Sequence, residues 1–250
     1  MECQWGRFFL APGCQWGRFF LAPESSRKAR QGEMKYRAVI FDFNGTMFAD
    51  SVFQFQSWNR VLEAHGKPPI TMELYRRELA GVSSRKTVEQ LWGADLPASR
   101  VEMLRAEKKT AYQEICLADP AHFCLVKGLP AYLDRLKEEG VLFTIASSSN
   151  PTNMDFYFAH LGLDRWFDRE NVICFDGKRP GKPAPDLYLA AMSQLQVKPE
   201  ECLIYEDGIM GILSANRAGA GCVRVINPEH LFEPGDGISY EGVYEDFLYI

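Results

Sequence analysis

Four short stretches of this chain combine reactive side chains with turn-forming ones. The first is Asp42-Phe43-Asn44-Gly45-Thr46. A carboxylate set just before a glycine turn can act as a nucleophile or as a metal ligand. The second is Ser147-Ser148-Ser149-Asn150, whose hydroxyls and amide suit hydrogen bonds to an oxyanion. The third is Gly181-Lys182-Pro183-Ala184-Pro185-Asp186, where a fixed cation stands in a stiff loop. Such a cation can neutralise a transferring group and hold a neighbouring carboxylate ionised. The fourth is Glu206-Asp207-Gly208, a carboxylate pair of the kind that Mg²⁺ takes together with phosphate and water. Each stretch alone also has a plainer reading. Asp-x-Asn-Gly makes a turn, and Ser147 to Asn150 can cap a helix. The lysine loop is no P-loop, because Pro183 stands where Ser or Thr is needed. Glu206-Asp207 can simply satisfy a helix N-terminus. Four in order, each directly after an expected strand, point together to one site.

Those strands are short apolar runs alternating with amphipathic segments. Residues 37–41 (RAVIF), 141–146 (VLFTIA), 171–175 (NVICF), 202–205 (CLIY) and 222–226 (CVRVI) read as buried strands. Helices are expected over 130–139, 153–161, 185–195 and 208–218. The alternation implies parallel strands with right-handed crossovers, hence an α/β doubly wound sheet. Ligands of such sheets bind beyond the carboxyl ends of the strands, where all four stretches fall. Residues 50–126 break the alternation, with helical periodicity and no convincing strand. They are expected to form an inserted all-helical cap, leaving 34–49 and 127–250 as the Rossmann-like core.

Composition narrows the partners. A net charge of −5 argues against nucleic acid or an anionic membrane as the main partner. No run reaches the roughly 18 apolar residues of a membrane span. The seven cysteines form no CxxC pair, which removes metal-finger and thioredoxin readings and suits a cytoplasmic location. His65, His122, His160 and His230 have no ligand spacing. Trp58, Trp92 and Trp166 read as packing residues. Residues 239–250 are expected to return to the core as a strand or helix. At the other end CQWGRFFLAP occurs twice, at 3–12 and 14–23. Two copies are too few for a solenoid, so residues 1–33 are expected to lie outside the fold as a tail. The alternative is an aromatic anchoring segment built on Trp5 and Trp16.

Over residues 35–227 the order of motifs resembles the haloacid dehalogenase-like hydrolase superfamily. FDFNGT is similar to its first motif, Ser147 to its second, Lys182 to its third and Glu206-Asp207 to its fourth, with GKPAPD and EDGIMGILSANRAG alongside. The cap position resembles the subgroup of β-phosphoglucomutases, sugar-phosphate phosphatases and phosphoglycolate phosphatases. The resemblance implies that Asp42 attacks phosphorus and forms an aspartyl phosphate. It implies Mg²⁺ held by Asp42, Asp207 and the Asn44 backbone carbonyl, with Glu206 supporting the shell. Ser147 and Lys182 would hold the transferring group. Ser149, Asn150, Gln54, and Arg85 and Lys86 after Gly81-Val82-Ser83, would meet a small phosphorylated metabolite. A monomer is expected, because caps of this type leave the site within one chain.

One residue departs from the pattern. Two positions after the nucleophile the family's phosphatases and mutases carry a second Asp as general acid and base, and here Asn44 stands. An amide cannot serve as general acid or base near neutral pH. Three readings follow: a phosphatase that is slow or suited to good leaving groups, a hydrolase of C–P or C–halogen bonds, or a non-catalytic phosphate-binding protein. Deamidation of Asn44, favoured by Gly45, is a further route to an acid there. The mutase reading is weaker, because β-phosphoglucomutases carry His where Gln54 stands. Phosphatase-type hydrolysis stands first.

Overall fold

The computed structural model describes residues 36–250. The expectations for residues 1–33 lie outside the described residues. Six strands form one sheet: β1 (Ala38–Phe41), β2 (Leu142–Ser147), β3 (Ile173–Cys174), β4 (Cys202–Glu206), β5 (Cys222–Ile226) and β6 (Val243–Tyr244). Their spatial order is β3-β2-β1-β4-β5-β6, and every neighbouring pair is parallel. The order reverses between β1 and β4, which makes the crevice beyond their carboxyl ends the natural ligand position.

Alternation along the strands fills both faces. Val39 and Phe41 of β1, with Leu203 and Tyr205 of β4, pack against α5 (Leu129–Glu138) and α6 (Pro151–Leu161). Ala38 and Ile40, with Cys202 and Ile204, pack on the other face against α7 (Asp186–Leu195) and α8 (Ile209–Arg217). Because β1 and β4 are covered on both sides, their runs are buried at successive positions. Truncating a residue such as Leu133, fully buried, should therefore cost about 2–5 kcal/mol.

Between β1 and α5 the chain is helical, as expected. It forms α1 (Ser51–Ala64), α2 (Met72–Leu74), α3 (Ser84–Trp92) and α4 (Ala98–Ala118). A wider π turn, Tyr75–Leu79, continues α2. These helices enclose an apolar cluster of their own, including Trp58, Val61, Leu79, Val88 and Leu104. Phe53 of α1 and Tyr112, Ile115 and Cys116 of α4 instead join the cluster on the sheet. They are the seam between the helical segment and the α/β core. The segment 239–250 supplies the edge strand β6 and buries Phe247 against Phe41, Tyr132 and Tyr205. Among the described residues no helix is long and apolar enough to cross a membrane.

Candidate active site

Asp42 follows β1 directly, and its backbone N–H donates to Tyr205 O of β4 at 2.9 Å. This ties the residue to the reversal point of the sheet. The Asp42 side chain is buried and accepts from Lys182 Nζ at 2.5 Å. The same ammonium donates to Glu206 Oε1 at 2.6 Å and to Tyr188 OH at 3.0 Å, so its three protons are all engaged. Tyr188 OH in turn donates to Glu206 Oε1 at 2.5 Å. Glu206 Oε2 accepts the backbone N–H groups of Asp207 and Gly208 at 3.0 and 3.3 Å. Glu206 is thus a fully bonded carboxylate at the tip of β4 that orients Lys182.

Asp42, Glu206 and Asp207 offer ligand oxygens that all lie within 4.8 Å of one another. Burial pushes the Asp42 carboxyl up to about 7, with the Lys182 charge working against that and Glu206 adding to it. Burial, then repulsion from Glu206 and Asp42, holds Asp207 well above the carboxylate range. For Lys182, burial works downward, but the charges of Asp42 and Glu206 outweigh it and raise the group. Three carboxyls crowded around one ammonium resist full ionisation, and a hard cation would relieve that.

The backbone leaves little slack beside these oxygens. Gly45 has φ +87°, and a Cβ there would sit 2.0 Å from Asp207 Oδ2. A Cβ on Gly211 of α8 would sit 1.8 Å from Glu206 Oε1. Gly45→Ala combines a left-handed φ with that clash. It is expected to cost about 1–3 kcal/mol in backbone strain and to move Asp207 as well. Denaturant unfolding would read the first effect and Mg²⁺ titration the second.

Asn44 is held on every side. Its Nδ2 donates to Asp50 Oδ2 at 2.8 Å and to Tyr157 OH at 3.0 Å. Its Oδ1 accepts from Ser149 Oγ at 2.7 Å. Gly45 N–H, which would have to attack the Asn44 side chain for deamidation, donates to Phe48 O at 2.8 Å. The folded geometry therefore opposes the deamidation route.

The other expected residues divide. Ser147 ends β2, is buried, and its Oγ accepts Ser149 N–H at 3.1 Å. Asn150 instead caps α6, its Oδ1 accepting Asn153 N–H at 2.9 Å. Gln54 donates to Asp50 Oδ2 at 2.7 Å and accepts from Lys108. Arg85 pairs with Glu89 and Glu102 at 3.9 and 3.6 Å and is half exposed, and Lys86 is exposed. Neither is drawn to the carboxylate cluster.

Several participants escaped sequence reasoning. Buried Asp50 gathers Asn44, Gln54 and Tyr112 OH on one oxygen, and burial raises its carboxyl. Tyr157 and Tyr188 close the hydrogen bonds of Asn44 and Lys182. Lys108 is pushed down to about 8 by burial and lies over the rings of Trp58 and Tyr112. Asp50 stands at the N-cap position of α1, where its local signal is that of a helix cap.

Comparison with known proteins agrees with this architecture. A family model described as haloacid dehalogenase-like hydrolase matches residues 36–219. An N-acetylmuramic acid 6-phosphate phosphatase of Pseudomonas aeruginosa is 30% identical over 78% of this chain and 86% of its own. A phosphorylated carbohydrates phosphatase of Thermotoga maritima is 29% identical, over 82% of this chain and 91% of its own. A crystal structure of a HAD hydrolase, family IA, variant 3, from Entamoeba histolytica superposes with a TM-score of 0.77 at 28% identity. It covers 86% of this chain and 95% of that one. With the matched model spanning most of the chain, this protein belongs to the haloacid dehalogenase-like hydrolases.

Proposed function

We propose that this protein is a Mg²⁺-dependent phosphatase of a small, sugar phosphate-like metabolite, working in the cytoplasm through an aspartyl phosphate on Asp42. The observation that carries the reading is the Lys182 ammonium, fixed between Asp42 and Glu206 beside Asp207. The phosphatase names of the two relatives point the same way. We further propose that residues 50–126 act as a cap over the strand ends, setting substrate choice.

Asp42, Asp207 and Glu206, with the Asn44 backbone carbonyl, would hold the cation. Mg²⁺, when bound, supplies charge neutralisation on the phosphoryl oxygens and on the crowded carboxylates. Asp42 attacks phosphorus in line: its oxygen forms the new P–O bond as the bond to the leaving oxygen breaks. Lys182 and Ser147 steady the transferring group. Water then attacks the same phosphorus, the Asp42 oxygen departs, and inorganic phosphate and the free carboxylate result. Asn44 gives no proton to the leaving oxygen and takes none from the water. Turnover of sugar phosphates is therefore slow. Acyl and aryl phosphates, whose leaving groups depart as stable anions, react faster in the first step, and the second step is slow for all.

A thermal-shift titration tests the cation part. Mg²⁺ with inorganic phosphate should stabilise the protein by about 2.7 kcal/mol at a hundredfold excess over Kd, and Asp207→Asn should remove the effect. The sign with pH follows from Asp42, whose folded carboxyl is raised from 3.8 to about 7. Stability of the metal-free protein is complete below the unfolded value and is lost as pH rises through about 7. The Mg²⁺ shift should therefore be larger at pH 8 than at pH 5. An equal shift at both, or none, would count against this cation site.

A further inference from the structure

The first residue of α1 is tied to the core by a distant carboxylate. Asp50 occupies the N-cap position, where Asp normally accepts an N–H of the first turn, yet its side chain makes no such bond. Its carboxylate turns instead to Asn44, Gln54 and Tyr112. The N–H of the first helical residue is met instead by Glu229, which lies in the loop after β5. Ser51 N–H donates to both Glu229 oxygens at 3.2 Å, and Ser51 Oγ donates to Oε2 at 2.7 Å. The loop that presents Glu229 is itself fixed. Asn227 N–H donates to Tyr244 O at 2.7 Å, and Asn227 Oδ1 accepts the N–H groups of Leu231 and Phe232 at 2.7 and 3.1 Å. Arg76 and Asp50 are the charged groups that bear on Glu229 from the helical segment, and Tyr75 stands on the same side.

We propose that Glu229 is a positioning residue for the active site. By pinning Ser51 from the core side, it fixes the start of α1 and with it the adjacent Asp50 carboxylate, which holds Asn44 beside the reacting centre. Without Glu229 the first turn of α1 loses this tie to the core, and Asp50 shifts with it. Asn44 then loses its strongest partner, a charged one, and the loop carrying Asp42 and Gly45 loses a restraint. The kinetic part of this inference rests on the phosphatase reading; the structural part does not.

The test uses the full chain, with Glu229→Ala, Glu229→Gln and Ser51→Ala beside the wild type. Two signals are read: the side-chain amide pair of Asn44 by NMR, identified by its loss in Asn44→Asp, and kcat and KM for an aryl phosphate with Mg²⁺. In Glu229→Ala, water exchange of the Asn44 amide should rise and kcat should fall, each about tenfold, as expected for one lost charge-assisted bond, with KM little changed. Glu229→Gln keeps an acceptor for Ser51 and should restore most of both. Ser51→Ala removes only the hydroxyl contact and should give a smaller change of the same kind; it carries the test if Glu229→Ala does not fold. An Asn44 amide unchanged in Glu229→Ala, or in Ser51→Ala if that variant alone folds, would overturn the proposal. Absence of turnover in the wild type would sink the phosphatase reading alone and leave the amide signal to decide the positioning role.

Discussion

Asn44→Asp is expected to raise phosphate release from alkyl and sugar phosphates by about 10²–10⁴-fold, the usual worth of a general acid and base. The position is already prepared for a carboxyl. The Asn44 amide nitrogen lies 2.8 Å from Asp50 Oδ2, and that carboxyl is itself raised by burial. Two carboxyls at such a distance cannot both ionise and share one proton. The introduced group therefore keeps its proton to higher pH than a free carboxyl and can give it to a leaving oxygen near neutrality. Ser149 Oγ, now donating to Asn44 Oδ1 at 2.7 Å, would continue to orient it. The gain should shrink as pH rises past the apparent pKa of the pair. It should also be small for the first step on an aryl phosphate, whose leaving group needs no proton. Steady-state rates on both substrate types between pH 5 and 9 would show this. Equal rates in variant and wild type on alkyl phosphates would mean that Asn44 is not what limits the enzyme.

Asp42→Asn should lower turnover on every substrate by on the order of 10³-fold or more, because the nucleophile itself is lost. The same change should not destabilise the metal-free protein at neutral pH. Asp42 is a buried carboxyl whose ionisation the fold disfavours, and an amide of the same shape carries no charge to bury. Lys182 keeps Glu206 and Tyr188 as partners at 2.6 and 3.0 Å. A melting temperature at least equal to wild type, with activity gone, separates loss of chemistry from loss of fold. Activity surviving in this variant would remove Asp42 from the mechanism.

The sheet was legible because its strands are buried on both faces. Runs such as residues 38–41 and 202–206 are apolar at successive positions, and that pattern survives without knowledge of the partners. Strand ends could likewise be matched to Asp42, Ser147 and Glu206, since chemistry in such sheets collects there. β6 has two residues and no apolar run to announce it, so it could be expected only as some return to the core. The contacts around Asn44 were illegible for a different reason. Tyr157, Tyr112 and Asp50 meet there from separate elements, and local spacing is silent on where a distant ring places its hydroxyl. Asp50 reads locally as an ordinary helix cap but makes no cap bond, and the start of α1 is tied down by Glu229, 178 residues beyond Ser51. Arg85 shows the converse. A cation after a glycine turn suggests ligand binding, whereas here it is occupied by Glu89 and Glu102 of its own helical segment.

The most direct test of the account is an acid quench during the first turnover of an aryl phosphate labelled in its phosphoryl group, with Mg²⁺ present. Under the proposed mechanism Asn44 activates no water, and dephosphorylation should be the slow step. The account predicts a burst of the released phenol, near one equivalent of label on the protein, mapped to Asp42, and none in Asp42→Asn. Phosphate release with no burst and no labelled protein, or label persisting in Asp42→Asn, would contradict it.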